Sequence, residues 1–218
     1  MNNQKPRQKE SYYDKLRPEH FKELSARPPE DVALRSLAAY HPETGFSLSL
    51  AGRDYLVNPW DGQVVALPEN QPVPFLVGLV AVMYLLHADY KKVTGRLVTA
   101  QELKGGTQFF VGPHALSTQG LVRKYGHRSE EFRQAGLDLG GKPVPYGDAA
   151  VEIPALPKVP LTYILYTADE EFEARMVIGF DASVEDHLPL DVIWGLVELV
   201  SGYLEHGNEY QWNLGIKK

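Results

Sequence analysis

The sequence predicts an α+β fold in which antiparallel sheet meanders pack against an apolar central helix and a long C-terminal helix. Three observations predict it. Short segments of strand period, broken by turn residues, run from Phe46 to Leu67; an apolar stretch runs from Phe75 to Leu86; and Pro157 to Tyr203 reads as strand, acidic turn, strand, acidic loop and apolar helix. Strand segments that follow one another through turns, with no helix between them, favour antiparallel pairing over a parallel sheet.

Taken in order, residues 1–10 (MNNQKPRQKE) are polar and charged and read as a flexible N-terminal tail, leaving 11–218 as a single α+β domain. SYYDKLRPEHFKEL forms a helix interrupted near Pro18, and PEDVALRSLAAY a second one with Val32, Leu34, Leu37 and Ala38 as its apolar contacts. Phe46, Leu48 and Leu50 alternate with serines, so FSLSL-AGRD-YLVN reads as a hairpin, and Trp60-Asp61-Gly62 turns the chain into a third strand, QVVAL. The Phe75–Leu86 run, opened by Pro74 and closed by His87, is shorter than the ~20 residues of a membrane span and is expected to be a buried core helix.

Between Lys91 and Gly141 the signal weakens. GRLVTAQELKGG suggests a strand and a short helix, and SEEFRQAGLDLGG a helix capped by Ser129 and ended near Gly140. Ala149, Val151 and Ile153 then alternate as a strand. Leu161, Tyr163 and Leu165 alternate with Thr162, Ile164 and Tyr166, so both faces are apolar and this strand is internal. After a hairpin loop at 167–171, Phe172, Ala174, Met176, Ile178 and Phe180 share one face of the next strand. Pro189 suits the first position of the last helix, Asp191 complements its dipole, and Gly207 ends it; one stripe of this helix is expected over Met176 and Ile178.

Composition restricts function. A net charge of −6 and a pI near 5.7 argue against nucleic acid and against an anionic membrane surface as partners. With no cysteine, the chain has no disulfide, no thiol nucleophile and no thiolate-held metal, which fits a cytoplasmic location. The N-terminus has positive charge but no apolar run after it, so no secretory signal is read there.

No Walker A loop, GxGxxG turn, GxSxG elbow, HExxH pair or EF-hand loop occurs. The sharpest candidates are carboxylates. Asp181, Asp186, His187 and Asp191 follow the last strand and offer oxygen and nitrogen ligands of the kind that hold a hard divalent metal or do acid–base work. Asp169, Glu170 and Glu171 make an acidic hairpin turn at the other end of the same strand, too far away to join them. The plainer reading of all seven is capping, dipole complementation and solvation. His87, ending the apolar helix, is a candidate axial ligand for a tetrapyrrole as well as a capping residue, and Trp60 beside Asn58-Pro59 is a candidate pocket aromatic. Arg123, Lys124 and Arg128 form a local basic patch that reads as a solvated loop.

The stretch GDAAVEIPALPKVPLTYILYTADEEFEARMVIGFDASVEDHLPLD, with VTGRLVTAQELKGGTQFF and LVRKYGHRSEEFRQAGLDLGG upstream, resembles the DUF3786 family of bacterial and archaeal proteins. Gly147-Asp148, Asp169-Glu170-Glu171-Phe172 and Phe180-Asp181 are its most specific pieces. The resemblance implies an association with anaerobic metabolism but carries over no catalytic residue and no cofactor; the cysteine-rich iron–sulfur segment of some members has no counterpart here. The leading expectation is a cytoplasmic, non-catalytic binding module for a cofactor-like small molecule, such as a corrinoid or other tetrapyrrole, or for a protein partner. The alternatives are a metal-dependent hydrolase built on the acidic cluster and a structural subunit of a homo-oligomer paired through its C-terminal helix.

Overall fold

The computed structural model describes residues 16–116 and 118–207. The expected tail at 1–10, and the part of the first helix that precedes Leu16, lie outside the described residues. Two short helices open the fold, α1 (Pro18–Ser25) and α2 (Pro29–Ser36), each with proline in its first turn, where a missing N–H is harmless. Phe21, Leu24 and Val32 are buried, but Leu34 and Leu37, expected as core contacts, are 63% and 60% exposed. Leu37 adopts a left-handed backbone (φ 58°) that ends α2 and turns its side chain away from the core.

A five-stranded antiparallel meander follows: β1 (Ala39–His41), β2 (Gly45–Leu50), β3 (Arg53–Asn58), β4 (Gln63–Ala66) and β5 (Gln71–Pro72), in chain order. The three expected strands are its centre. The β2–β3 turn is tighter than the sequence suggested, because Leu50 pairs with Arg53 and only Ala51 and Gly52 lie between. Both have positive φ (48° and 76°), the requirement of a turn whose twist matches the strands.

The apolar run becomes α3 (Phe75–His87), which buries Val77, Val80, Val82, Tyr84 and Leu85. It touches α1, α2 and β3 on the meander side and reaches the C-terminal helix on the other, so it joins the two halves of the core. The chain then runs without regular structure through 88–96 before β6 (Leu97–Thr99), a 3₁₀ turn at Ala100–Glu102, α4 (Gly106–Phe109), a second 3₁₀ turn at Gly112–His114, α5 (Gln119–Tyr125) and α6 (Ser129–Asp138).

The second antiparallel sheet has the order β6-β10-β9-β8-β7, from β7 (Lys142–Pro143), β8 (Ala149–Leu156), β9 (Val159–Tyr166) and β10 (Arg175–Asp181). β9 is internal, as its two apolar faces predicted. In register, Val151 pairs with Tyr163 and Tyr163 with Ile178, and Ile153 with Leu161 and Leu161 with Phe180, which puts these residues on one buried face. β10 starts later than its alternation suggested: Phe172 lies outside it and is 70% exposed, and the β9–β10 loop spans residues 167–174.

After α7 (Val184–His187), the last helix, α8 (Leu190–His206), has Pro189 as its N-cap and ends at Gly207. It covers the apolar sheet face as expected. The Tyr163 hydroxyl reaches the Val197 carbonyl (3.3 Å) and the Ser201 hydroxyl (3.0 Å) across that interface. Gly195 lies where α8 meets α3: a Cβ there would come within 2.9 Å of the Leu76 Cδ1 methyl. Each large side chain buried in these layers contributes about 1.5–3 kcal/mol relative to exposure. Among the described residues, no helix is long and apolar enough to cross a membrane.

Candidate functional site

Residues 88–96 form a strap, buried at Ala88 and exposed from Asp89 onward, held almost entirely by side chains from other elements. From α2, Arg35 Nη1 donates to the Ala88 carbonyl, and the Asp31 carboxylate accepts from the Tyr90 hydroxyl. From the β8–β9 turn, Lys158 Nζ donates to the Asp89 carbonyl (2.7 Å). From α7, His187 Nδ1 accepts the Asp89 N–H (3.2 Å), and Asp186 pairs with Lys91 (2.5 Å). At the end of β10, Asp181 accepts from Thr94 N (3.0 Å), Thr94 Oγ1 (3.0 Å) and Gly95 N (2.6 Å), and on its own side from Ser183 N (2.9 Å) and Ser183 Oγ (2.6 Å).

The structure thus brings Asp181, Asp186 and His187 together, but as anchors of one backbone segment. Asp181 is only 6% exposed, and its carboxylate is saturated with donors. Burial pushes its pKa up, but the Ser183 and Thr94 hydrogen bonds together outweigh it and bring the pKa down to about 2. His187 is fully buried, and burial, followed by the nearby Lys158 ammonium, lowers its pKa. Asp191 stands apart in the first turn of α8, exposed and bonded to the Val192 N–H (3.0 Å). Among the described residues, no group of three or more His, Asp or Glu side chains is arranged to hold a metal ion. The expectation of a ligand cluster at Asp181, Asp186, His187 and Asp191 therefore finds no support in the geometry.

The acidic hairpin turn lies at the far end of β9 and β10. Asp169 closes it by accepting from the N–H groups of Glu171 and Phe172 (both 2.8 Å), a local turn bond, while Glu170 and Glu171 are exposed. His87 ends α3 as an exposed residue; partial burial, and then the Arg27 guanidinium, lower its pKa. In the basic patch, Lys124 caps the end of α8 through the carbonyls of Leu204 (3.2 Å) and Glu205 (2.5 Å).

A cleft of about 560 Å³ opens between Leu16, Phe21 and Lys22 at the start of α1 and Pro59, Trp60 and Asp61 in the β3–β4 turn. Asn58 fixes this turn, because its Oδ1 accepts from Trp60 N (3.0 Å) and Asp61 N (3.1 Å) and its Nδ2 donates to Asp61 (2.7 Å). Trp60, carried on this turn, is half-exposed at 50%. His87 does not line the cleft. Sequence reasoning singled out Trp60 but missed the α1 wall, and it missed Arg35, Asp31 and Lys158 at the strap. Their partners lie 53 to 69 positions away, and no local spacing encodes such a pairing.

No curated protein and no solved structure matches this chain. The family model described as "Domain of unknown function (DUF3786)" matches residues 28–203, a span that holds the Trp60 turn and every strap anchor but not α1, and the chain belongs to that family.

Proposed function

We propose that this protein is a non-catalytic binding module that takes a flat, cofactor-like small molecule in the cleft beside Trp60. The observation that carries this reading is a half-exposed indole, on a turn whose backbone Asn58 fixes, in the wall of a cleft of about 560 Å³. That volume falls within the roughly 300–1,000 Å³ typical of small-molecule sites. An exposed tryptophan, with only two side-chain torsions to order, offers a π face at modest entropic cost, while Lys22 and Asp61 give polar groups at the rim for orientation. A tetrapyrrole, with its planar apolar body and peripheral carboxylates, has this chemistry.

Two alternatives have less behind them. Hydrolysis through Asp181 would need a carboxylate that is not already saturated by five donors. Oligomer assembly through the last helix would need an outward apolar face, whereas α8 buries Val192, Ile193, Leu196, Val197, Val200 and Leu204 inside its own chain.

The test is an absorbance titration of the purified protein with haemin and, separately, with hydroxocobalamin. A saturable spectral change with either, lost in Trp60→Ala, is the expected result. No change with both compounds, or one that Trp60→Ala leaves intact, would overturn the tetrapyrrole assignment to this cleft.

A further inference from the structure

The β9–β10 loop carries Phe172, at 70% the most exposed large apolar side chain among the described residues. The backbone around it is tied down. Thr167 donates its N–H (2.8 Å) and hydroxyl (2.9 Å) to Asp148, and the Ala168 N–H donates to the Gly126 carbonyl (3.3 Å). Gly126 also packs on the other end of the loop, since a Cβ there would come within 2.8 Å of the Ala174 methyl. Asp169 closes the middle: its N–H donates to the Phe172 carbonyl (3.0 Å) and its carboxylate accepts the Phe172 N–H (2.8 Å).

Around Phe172, the side chains of Asp169, Glu170, Glu171 and Glu173 are exposed, and none takes part in an ion pair among the described residues. Arg175, the next cation along the chain, stacks instead on Tyr166 (4.0 Å). Gly126, which touches both ends of this loop, belongs to the corner between α5 and α6, so the same contacts set the acidic loop beside exposed cations. There Arg123 has no ion pair among the described residues, and Arg128 has one long, exposed pair with Glu131 (3.5 Å). No ion pair among the described residues joins corner to loop within the chain.

An acidic half with an apolar tip and a basic half, side by side and unpaired with each other, become complementary when a second copy is applied by a two-fold rotation. A foreign partner would need no such pairing of opposite halves. We propose that this face is the interface of a homodimer, in which the 167–174 loop of each copy lies on the α5–α6 corner of the other, its carboxylates against Arg123 and Arg128 and Phe172 buried between. It shares no residue with the Trp60 cleft and does not depend on what that cleft binds.

Sedimentation equilibrium of the full chain, from micromolar to sub-millimolar concentration, tests the proposal. The unaltered protein is expected to dimerise, and Phe172→Ala to weaken the dimer at least about tenfold. Arg123→Glu with Arg128→Glu makes both halves acidic, and Glu170→Arg with Glu171→Arg reverses the loop; each variant alone is expected to be monomeric, and an equimolar mixture of the two to dimerise again. All five positions are exposed, so the fold is expected to survive the changes. An unaltered chain that stays monomeric, a dimer that Phe172→Ala or the charge reversals leave intact, or a mixture that stays monomeric would each overturn the proposal.

Discussion

The strap and the Trp60 cleft put polar groups to opposite uses. At the strap, charged side chains from α2, α7, the β8–β9 turn and β10 point inward and hold a backbone segment that has little regular hydrogen bonding of its own. At the cleft, one asparagine fixes a short turn and leaves an aromatic side chain facing outward. A concentration of carboxylates, the usual sequence signal for chemistry, here marks structural work. The cleft beside Trp60 is walled mainly by apolar side chains.

The contrast predicts a graded set of effects. Asp181→Asn is expected to be the most damaging change at the strap, at about 2–4 kcal/mol in denaturant unfolding, because an amide NH₂ would face donors that need an acceptor. A loss below about 0.5 kcal/mol, the usual range of surface changes, would mean that Asp181 is not the anchor of residues 94 and 95.

The pH dependence follows from the same groups. His187 has a lowered pKa, so the folded state favours the neutral ring; stability is full above the unfolded value near 6.5 and declines as the pH falls below it. Asp181 has the opposite chemistry and a lower window: its contribution is present above about 3.8 and is lost as the pH falls through about 2. Chemical denaturation at pH 7 and pH 5 is expected to show lower stability at pH 5, and His187→Asn, which keeps an acceptor near the Nδ1 position, is expected to reduce that difference and leave the part that comes from His87, whose pKa is also lowered. An unchanged slope in the variant would place the titrating group elsewhere.

Smaller effects sharpen the comparison. The Asp186–Lys91 pair is exposed (side chains 32% and 63%), so Asp186→Asn is expected to cost under about 1 kcal/mol in the same assay. Trp60→Ala is expected to change stability by no more than about 0.5 kcal/mol. A large loss there would make the indole a packing residue.

Much of the fold was legible in the sequence because burial writes itself as periodicity. β9 was readable from apolar residues on both faces, and α3 from twelve successive positions with no charge. Where the reading slipped, pattern outran geometry. Alternation continues through Phe172 although the strand begins at Arg175, and Leu34 and Leu37 have helical spacing although Leu34 lies on the exposed side of α2 and Leu37 ends that helix in a left-handed conformation. The strap was not legible at all. Its contacts join residues 53 to 98 positions apart, and the sequence around Lys158 gives no sign that its ammonium is buried against Asp89.

The most direct measurement is calorimetric titration of haemin or hydroxocobalamin, whichever binds, into the unaltered protein, Trp60→Ala and His87→Ala. The account predicts an affinity at least about tenfold weaker in Trp60→Ala, a loss of about 1.4 kcal/mol, and little change in His87→Ala, since His87 does not line the cleft. The reverse pattern, with binding lost only in His87→Ala, would contradict it and move the ligand to the end of α3.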